Sequence, residues 1–152
     1  MEARLNYYEI APDAAKIMVD LEKYIHSTNL DLTLLELVKT RASQINGCAF
    51  CLDMHTKDAR ANGETEQRLY GLNAWRETDY YTDKERAALG LTEAITQISN
   101  NHVSDELYEH VRNYFGEKDF VDLVHAINSI NSWNRIAITM RAVPGEYQPA
   151  HK

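Results

Sequence analysis

Both cysteines of the chain, Cys48 and Cys51, lie in one short stretch with Glu36 upstream and His55 downstream, so that the four residues read E-x11-C-x2-C-x3-H. Two thiols at this spacing can close and reopen a disulfide, an imidazole can take or return a thiol proton, and a carboxylate can hold the imidazole. The set points to thiol redox chemistry. Gly47 stands immediately before Cys48. The pair therefore falls in the first turn of a new helix, where unpaired backbone N–H groups and the positive dipole end favour thiolate over thiol. At helical spacing Cys51 and His55 are i and i+4, on one face and within reach of each other.

Other chemistries fit the same residues less well. Two cysteines, a histidine and a carboxylate are adequate zinc ligands, but structural zinc sites draw ligand pairs from separated knuckles, and the chain has no second C-x2-C or H-x3-H. Covalent haem attachment needs histidine directly after the second cysteine, where Leu52 stands. A cysteine can also be a small hydrophobe in a core. The expectation is a site with no bound metal and no bound cofactor.

The elements that must position these residues are helices. Apolar residues recur at helical spacing in Ala14, Ile17, Met18, Leu21 and Ile25, and again in Ala87, Ala88, Leu91, Ala94, Ile95 and Ile98. Start signals at Pro12, Asp31 or Thr33, Thr82 with Glu85, and Ser104, with stops at Asn46-Gly47, Asn62-Gly63 and Gly116, predict helices near 12–27, 32–45, 48–62, 65–74, 83–99, 105–115 and 118–141. The fold class is all-α. If Gly47 reverses the chain, Glu36 lies eleven residues before it and His55 eight after. At ~1.5 Å per residue they stand ~16 and ~12 Å from the turn, nearly level, and helices packed ~8–10 Å apart can bring carboxylate, imidazole and Cys51 together. On the wheel of the first of these helices Glu36, Thr40 and Ser43 share a polar stripe, and Thr33 with Glu36 also reads as a T-x-x-E capping box.

With 152 residues and no linker-like stretch, the chain reads as one domain, 1–152, with a core from about 12 to 141. It carries 23 acidic against 16 basic residues, which argues against nucleic acid and anionic membranes as partners. The N-terminal stretch resembles no export signal and no apolar run approaches a membrane span, so the expected place is the cytoplasm, where thiols are kept reduced and a lone C-x2-C is catalytic or metal-binding. LLELVKTRASQINGCAFC has a faint echo in FVDLVHAINSINSWNRIA, with Asp122 in the place of Glu36 and Asn134 and Ala137 in the places of the cysteines. Trp75, Tyr80 and Tyr81 read as core or interface anchors, with a substrate entrance as the alternative. Trp133, Asn134 and Arg135 read as structural. Glu93 reads as a solvated edge residue that could approach the site, and His26, His102, His110, His125 and His151 read as surface histidines.

The segment LLELVKTRASQINGCAFCLDMHTKDARANGETEQRLYGLNAWRE, followed by ERAALGLTEAIT and INSWNRIAI, resembles the alkylhydroperoxidase D-like branch of the carboxymuconolactone decarboxylase superfamily. The resemblance implies an all-helical fold, assembly into trimers or hexamers, and thiol-dependent reduction of hydroperoxides that draws on an external thiol or dithiol reductant, a role in antioxidant defence. It implies that Cys51 is the peroxidatic thiol, that Cys48 resolves its sulfenic acid into a disulfide, and that His55 and Glu36 relay protons. Some members carry a further histidine between the cysteines, where this chain has Ala49 and Phe50. A dithiol–disulfide carrier or stress sensor that passes electrons to a partner protein is the alternative function.

Overall fold

The computed structural model describes residues 1–149, and among these every regular element is helical. In chain order they are α1 (Tyr7–Ile10), α2 (Pro12–His26), α3 (Leu32–Asn46), α4 (Ala49–Ala61), α5 (Glu66–Tyr70), a 3-10 stretch (Leu72–Glu77), α6 (Asp83–Thr96), α7 (Asp105–Arg112) and α8 (Glu117–Met140). The long helices fall where the periodicity placed them. The expected 65–74 helix is shorter and passes into the 3-10 stretch, and α1 lay outside any predicted element.

Helix α3 is the axis of the fold, packed against α4, α6 and α8 at once. Its residues from Leu34 through Thr40 are all buried, polar ones included. On one side Leu34, Leu35 and Val38 meet Ile25 of α2, Ala87, Ala88 and Leu91 of α6, and Leu123 and Ile127 of α8. On another, Leu37 packs with Ala59, Leu69, Leu72, Trp75, Tyr81 and Leu89. Trp75 and Tyr81 are thus core anchors, and neither borders the cavity described below.

Asp31 starts α3, its side chain accepting from the Leu34 N–H at 3.1 Å. The capping-box reading of Thr33 and Glu36 does not hold, and Glu36 is freed for other work. Gly47 ends the helix with φ at 69°, a left-handed conformation that glycine adopts without a Cβ penalty. Its N–H donates to Gln44 O and that of Cys48 to Ser43 O, the paired bonds of a Schellman stop. The chain then reverses directly into α4. The echo of this hairpin in α8 does not fold as a repeat. Trp133 stands where Gly47 would, nothing stops the helix, and α8 runs unbroken from Glu117 to Met140.

A buried amide cluster pins the turn. Asn46 Nδ2 donates to Asn131 Oδ1 and Asn134 Oδ1 at 2.9 and 2.8 Å, and Asn134 Nδ2 donates to Ser43 Oγ at 3.0 Å. Asn134 therefore has the structural part expected of it. Arg135 returns to its own helix, donating to the Asn131 carbonyl at 2.8 Å. No helix among the described residues is long and apolar enough to cross a membrane.

Candidate active site

Cys48 is the N-cap of α4 and Cys51 lies one turn in; the two are joined as a disulfide with Cα atoms 5.4 Å apart. The Cys51 backbone N–H points at Cys48 Sγ, 3.3 Å away, which places that sulfur among the free N–H groups of the helix start. Both cysteines are 1% exposed and pack with Ala42, Ile130 and Ala137. One turn further along α4, His55 is buried, and its Nδ1 donates to Glu36 Oε2 at 2.9 Å. The counting argument across the hairpin is met at side-chain level for Glu36 and His55. Glu36 belongs to a polar stripe, as its wheel position indicated, but that stripe faces α4 and α8 rather than water: Glu36 meets His55, and Ser43 meets Asn134.

Cys51, His55 and Glu36 open onto a cavity of 510 Å³. Its apolar wall is Tyr7 and Tyr8 of α1, Phe50 and Met54 of α4, and Trp133 and Ala137 of α8, with Tyr147 from the segment after α8. Tyr7 and Tyr8 lean on Trp133, with ring centroids 6.4 and 6.5 Å away. Tyr147 donates to Asp58 Oδ1 at 2.6 Å, and Lys57 Nζ holds the Tyr147 carbonyl at 3.0 Å. Burial, then the hydrogen bond to Asp58, pushes the Tyr147 hydroxyl well above the usual phenol range.

A second charged pair faces the same cavity and was not foreseen. Lys39, one turn along α3 from Glu36, is 1% exposed and donates to Glu22 Oε2 at 2.7 Å, while Ser129 Oγ donates to Glu22 Oε1 at 2.5 Å. Burial of Glu22 would raise its pKa, but the Lys39 charge and the hydrogen bonds from Lys39 and Ser129 outweigh that, and the net shift is downward. The pair's signal in the sequence is a lysine within an otherwise buried stretch of helix.

Trp133 lines the cavity as well as packing the helix, and His26, half exposed, borders it. Glu93 does not reach the site. It accepts from Arg41, Trp75 and Arg76 elsewhere on the molecule. His102, His110 and His125 are exposed, and His151 lies outside the described residues. Among the described residues, Glu36, His55 and Asp58 are the acidic and histidine groups whose ligand atoms converge, all within 4.8 Å of one another. Each already has a protein partner, Glu36 with His55 and Asp58 with Tyr147, and the cysteines take no part.

An all-helical fold that presents a C-x2-C disulfide at a helix start, with a buried Glu–His pair behind it, defines an AhpD-like thiol protein. The model of the carboxymuconolactone decarboxylase family matches residues 12–94, and the chain belongs to that family. It is 57% identical over 140 residues to the uncharacterized protein YdfG of Bacillus subtilis (strain 168), covering 92% of this chain and 95% of that one. Among solved structures it resembles ATU0492 of Agrobacterium tumefaciens, described as a candidate antioxidant defence protein AhpD, at a TM-score of 0.92 and 40% identity, covering 96% of this chain and 100% of that chain. A peroxidase-related protein with an alkylhydroperoxidase AhpD core from Ralstonia eutropha JMP134 shares the fold at a TM-score of 0.80 and 18% identity, covering 91% and 74%.

Proposed function

We propose that the protein is a thiol-dependent peroxidase that reduces organic hydroperoxides through a Cys48–Cys51 disulfide cycle. The observation that carries this reading is the buried Glu36–His55 pair, 2.9 Å apart, in the same cavity as Cys51. With Nδ1 committed to Glu36, Nε2 is the nitrogen left to exchange a proton with the thiol and then with the leaving oxygen. In the reduced protein, His55 takes the Cys51 proton. The thiolate attacks one peroxide oxygen, an S–O bond forms as the O–O bond breaks, and the departing alkoxide takes the proton from His55 to leave as an alcohol. Cys48 then attacks the sulfenic sulfur, the disulfide forms and water departs. Two thiols from an external reductant restore the dithiol.

The aromatic lining suits an organic hydroperoxide with an apolar body. Burial of both sulfurs disfavours the carrier reading, which requires quick exchange with the thiols of a partner protein. A cytoplasmic place, a role in antioxidant defence and a homo-oligomer, trimer or hexamer, complete the proposal. Short helical hairpins leave apolar faces that neighbours can cover, and Ile10 and Ile17 are exposed here. The test is hydroperoxide consumption with a generic dithiol as reductant. Activity is expected in the wild type and not in Cys51→Ser; undiminished activity in that variant would sink the proposal.

A further inference from the structure

We infer that the reductant does not use the substrate cavity: it enters a second one and attacks Cys48. This rests on the disulfide cycle proposed above. Cys51 borders the 510 Å³ cavity and Cys48 does not. Cys48 instead borders a separate cavity of 190 Å³, formed with Met1, Gly47, Ala49, Ile138, Arg141, Ala142 and Pro144, which Cys51 does not border. Phe50 and Ala137 line both, so they are the partition. Because each cysteine is 1% exposed, an incoming group reaches either sulfur through its own cavity.

The chemistry of exchange agrees with this division. A disulfide opens fastest when the sulfur that leaves is the better-stabilised thiolate. Attack on Cys48 makes Cys51 the leaving sulfur; Cys48 lies nearer the free N–H groups of the helix start, but Cys51 is the one with an acid within a turn of it, His55, to take up the leaving charge. A reductant thiolate bonds to Cys48 Sγ, the Cys48–Cys51 bond breaks, and its electron pair goes to Cys51, beside the His55–Glu36 relay. The second thiol of the same reductant then attacks the reductant sulfur of the mixed disulfide. Cys48 leaves as a thiolate, and the reductant departs as its own disulfide with two electrons fewer.

The cavity also limits what can enter. It is small, 190 Å³ against 510 Å³ on the Cys51 side, so a thiol on a slim alkyl arm enters it more readily than a folded surface does. Arg141 brings a positive charge to this lining, which favours thiolate over thiol. It is held there by a left-handed turn, φ 57°, that closes α8, with Ala142 N–H donating to Ala137 O at 2.9 Å. The reductant class is therefore a slender, flexible dithiol.

The test separates the two half-reactions on the full chain. Ile138, half exposed at the Cys48 cavity and absent from the other, is changed to Trp to fill the space and to Ala to widen it. With disulfide-form protein and dithiothreitol, Ile138→Trp is expected to slow reduction by about tenfold and Ile138→Ala to quicken it, since exchange rates follow access. With dithiol-form protein and cumene hydroperoxide, both variants should match the wild type. A reduction rate indifferent to both substitutions, or oxidation slowed in step with reduction, overturns the inference. Peptide mapping of the adduct trapped with 2-mercaptoethanol gives an independent reading: modification at Cys48 is expected, and modification at Cys51 refutes it. Failure of the peroxidase reading would register differently, as a wild-type dithiol that cumene hydroperoxide does not oxidise, and the reduction comparison can still be made on disulfide formed with diamide.

Discussion

Replacing Glu36 with Gln keeps the size of the side chain and a hydrogen bond to His55 but removes the buried negative charge. The Nδ1–Oε2 separation is 2.9 Å, and both side chains are nearly sealed from water, at 7% and 5% exposure. With charge centres about 4 Å apart and an effective dielectric of about 20, the carboxylate stabilises an imidazolium by about 4 kcal/mol. The amide carbonyl recovers part of this through its dipole, leaving roughly 2–3 kcal/mol. That loss falls on the state in which His55 holds the Cys51 proton, so the reactive thiolate becomes scarcer by roughly 30- to 150-fold near neutral pH. The assay is stopped-flow oxidation of the reduced protein by cumene hydroperoxide, with thiol loss measured by quenched alkylation. The same variant should also move the pH profile of Cys51 alkylation upward by about 1 unit or more. An oxidation rate within about threefold of wild type, with an unmoved alkylation profile, would refute the relay.

Lys39→Met leaves Glu22 charged and half-enclosed, and should destabilise the protein by about 2–4 kcal/mol in urea unfolding. The Glu22→Gln/Lys39→Met pair removes both charges together and should recover part of the loss. Because the Glu22 carboxyl sits below its ordinary 4.5, its contribution is fully present above that value and is lost as pH falls through the lowered one. In acid titrations followed by circular dichroism, Glu22→Gln should therefore show a shallower fall in stability below about pH 4.5 than the wild type. Asn134→Ala removes one of the two acceptors of the Asn46 amide and the donor to the buried Ser43 hydroxyl, and a loss of about 1–3 kcal/mol is expected, visible as a lowered Tm.

The sequence made the hairpin legible because each of its parts has a local cause. Glycine before Cys48 stops one helix, the N-cap position of Cys48 starts the next, and fixed helical rise carries Glu36 back to His55. What stayed hidden depends on contacts between distant segments. Tyr7 and Tyr8 sit before the first clear helical pattern and Tyr147 after the last, yet all three wall the cavity beside Cys51. No spacing rule links them to a thiol more than forty residues away. Lys39 was illegible for a different reason. A helix wheel assigns polar residues to water, whereas α3 is wrapped by three helices and must pair its charges internally. The same wrapping explains why Glu36, which could pass for a capping residue, is free to face His55: Asp31 had already taken the cap. The echo in α8 failed for want of one residue, since Trp133 in place of a glycine leaves nothing to turn the chain.

The central claim is that Cys51 reacts with hydroperoxide and Cys48 resolves the product. A single-turnover titration tests it most directly: reduced protein is mixed with substoichiometric cumene hydroperoxide, and peroxide, free thiol and protein mass are followed together. The account predicts one disulfide closed between Cys48 and Cys51 for each hydroperoxide consumed, a sulfenic acid on Cys51 in Cys48→Ser, and no reaction in Cys51→Ser. Consumption that continues in Cys51→Ser, or a sulfenic acid that collects on Cys48 in that variant, would contradict it.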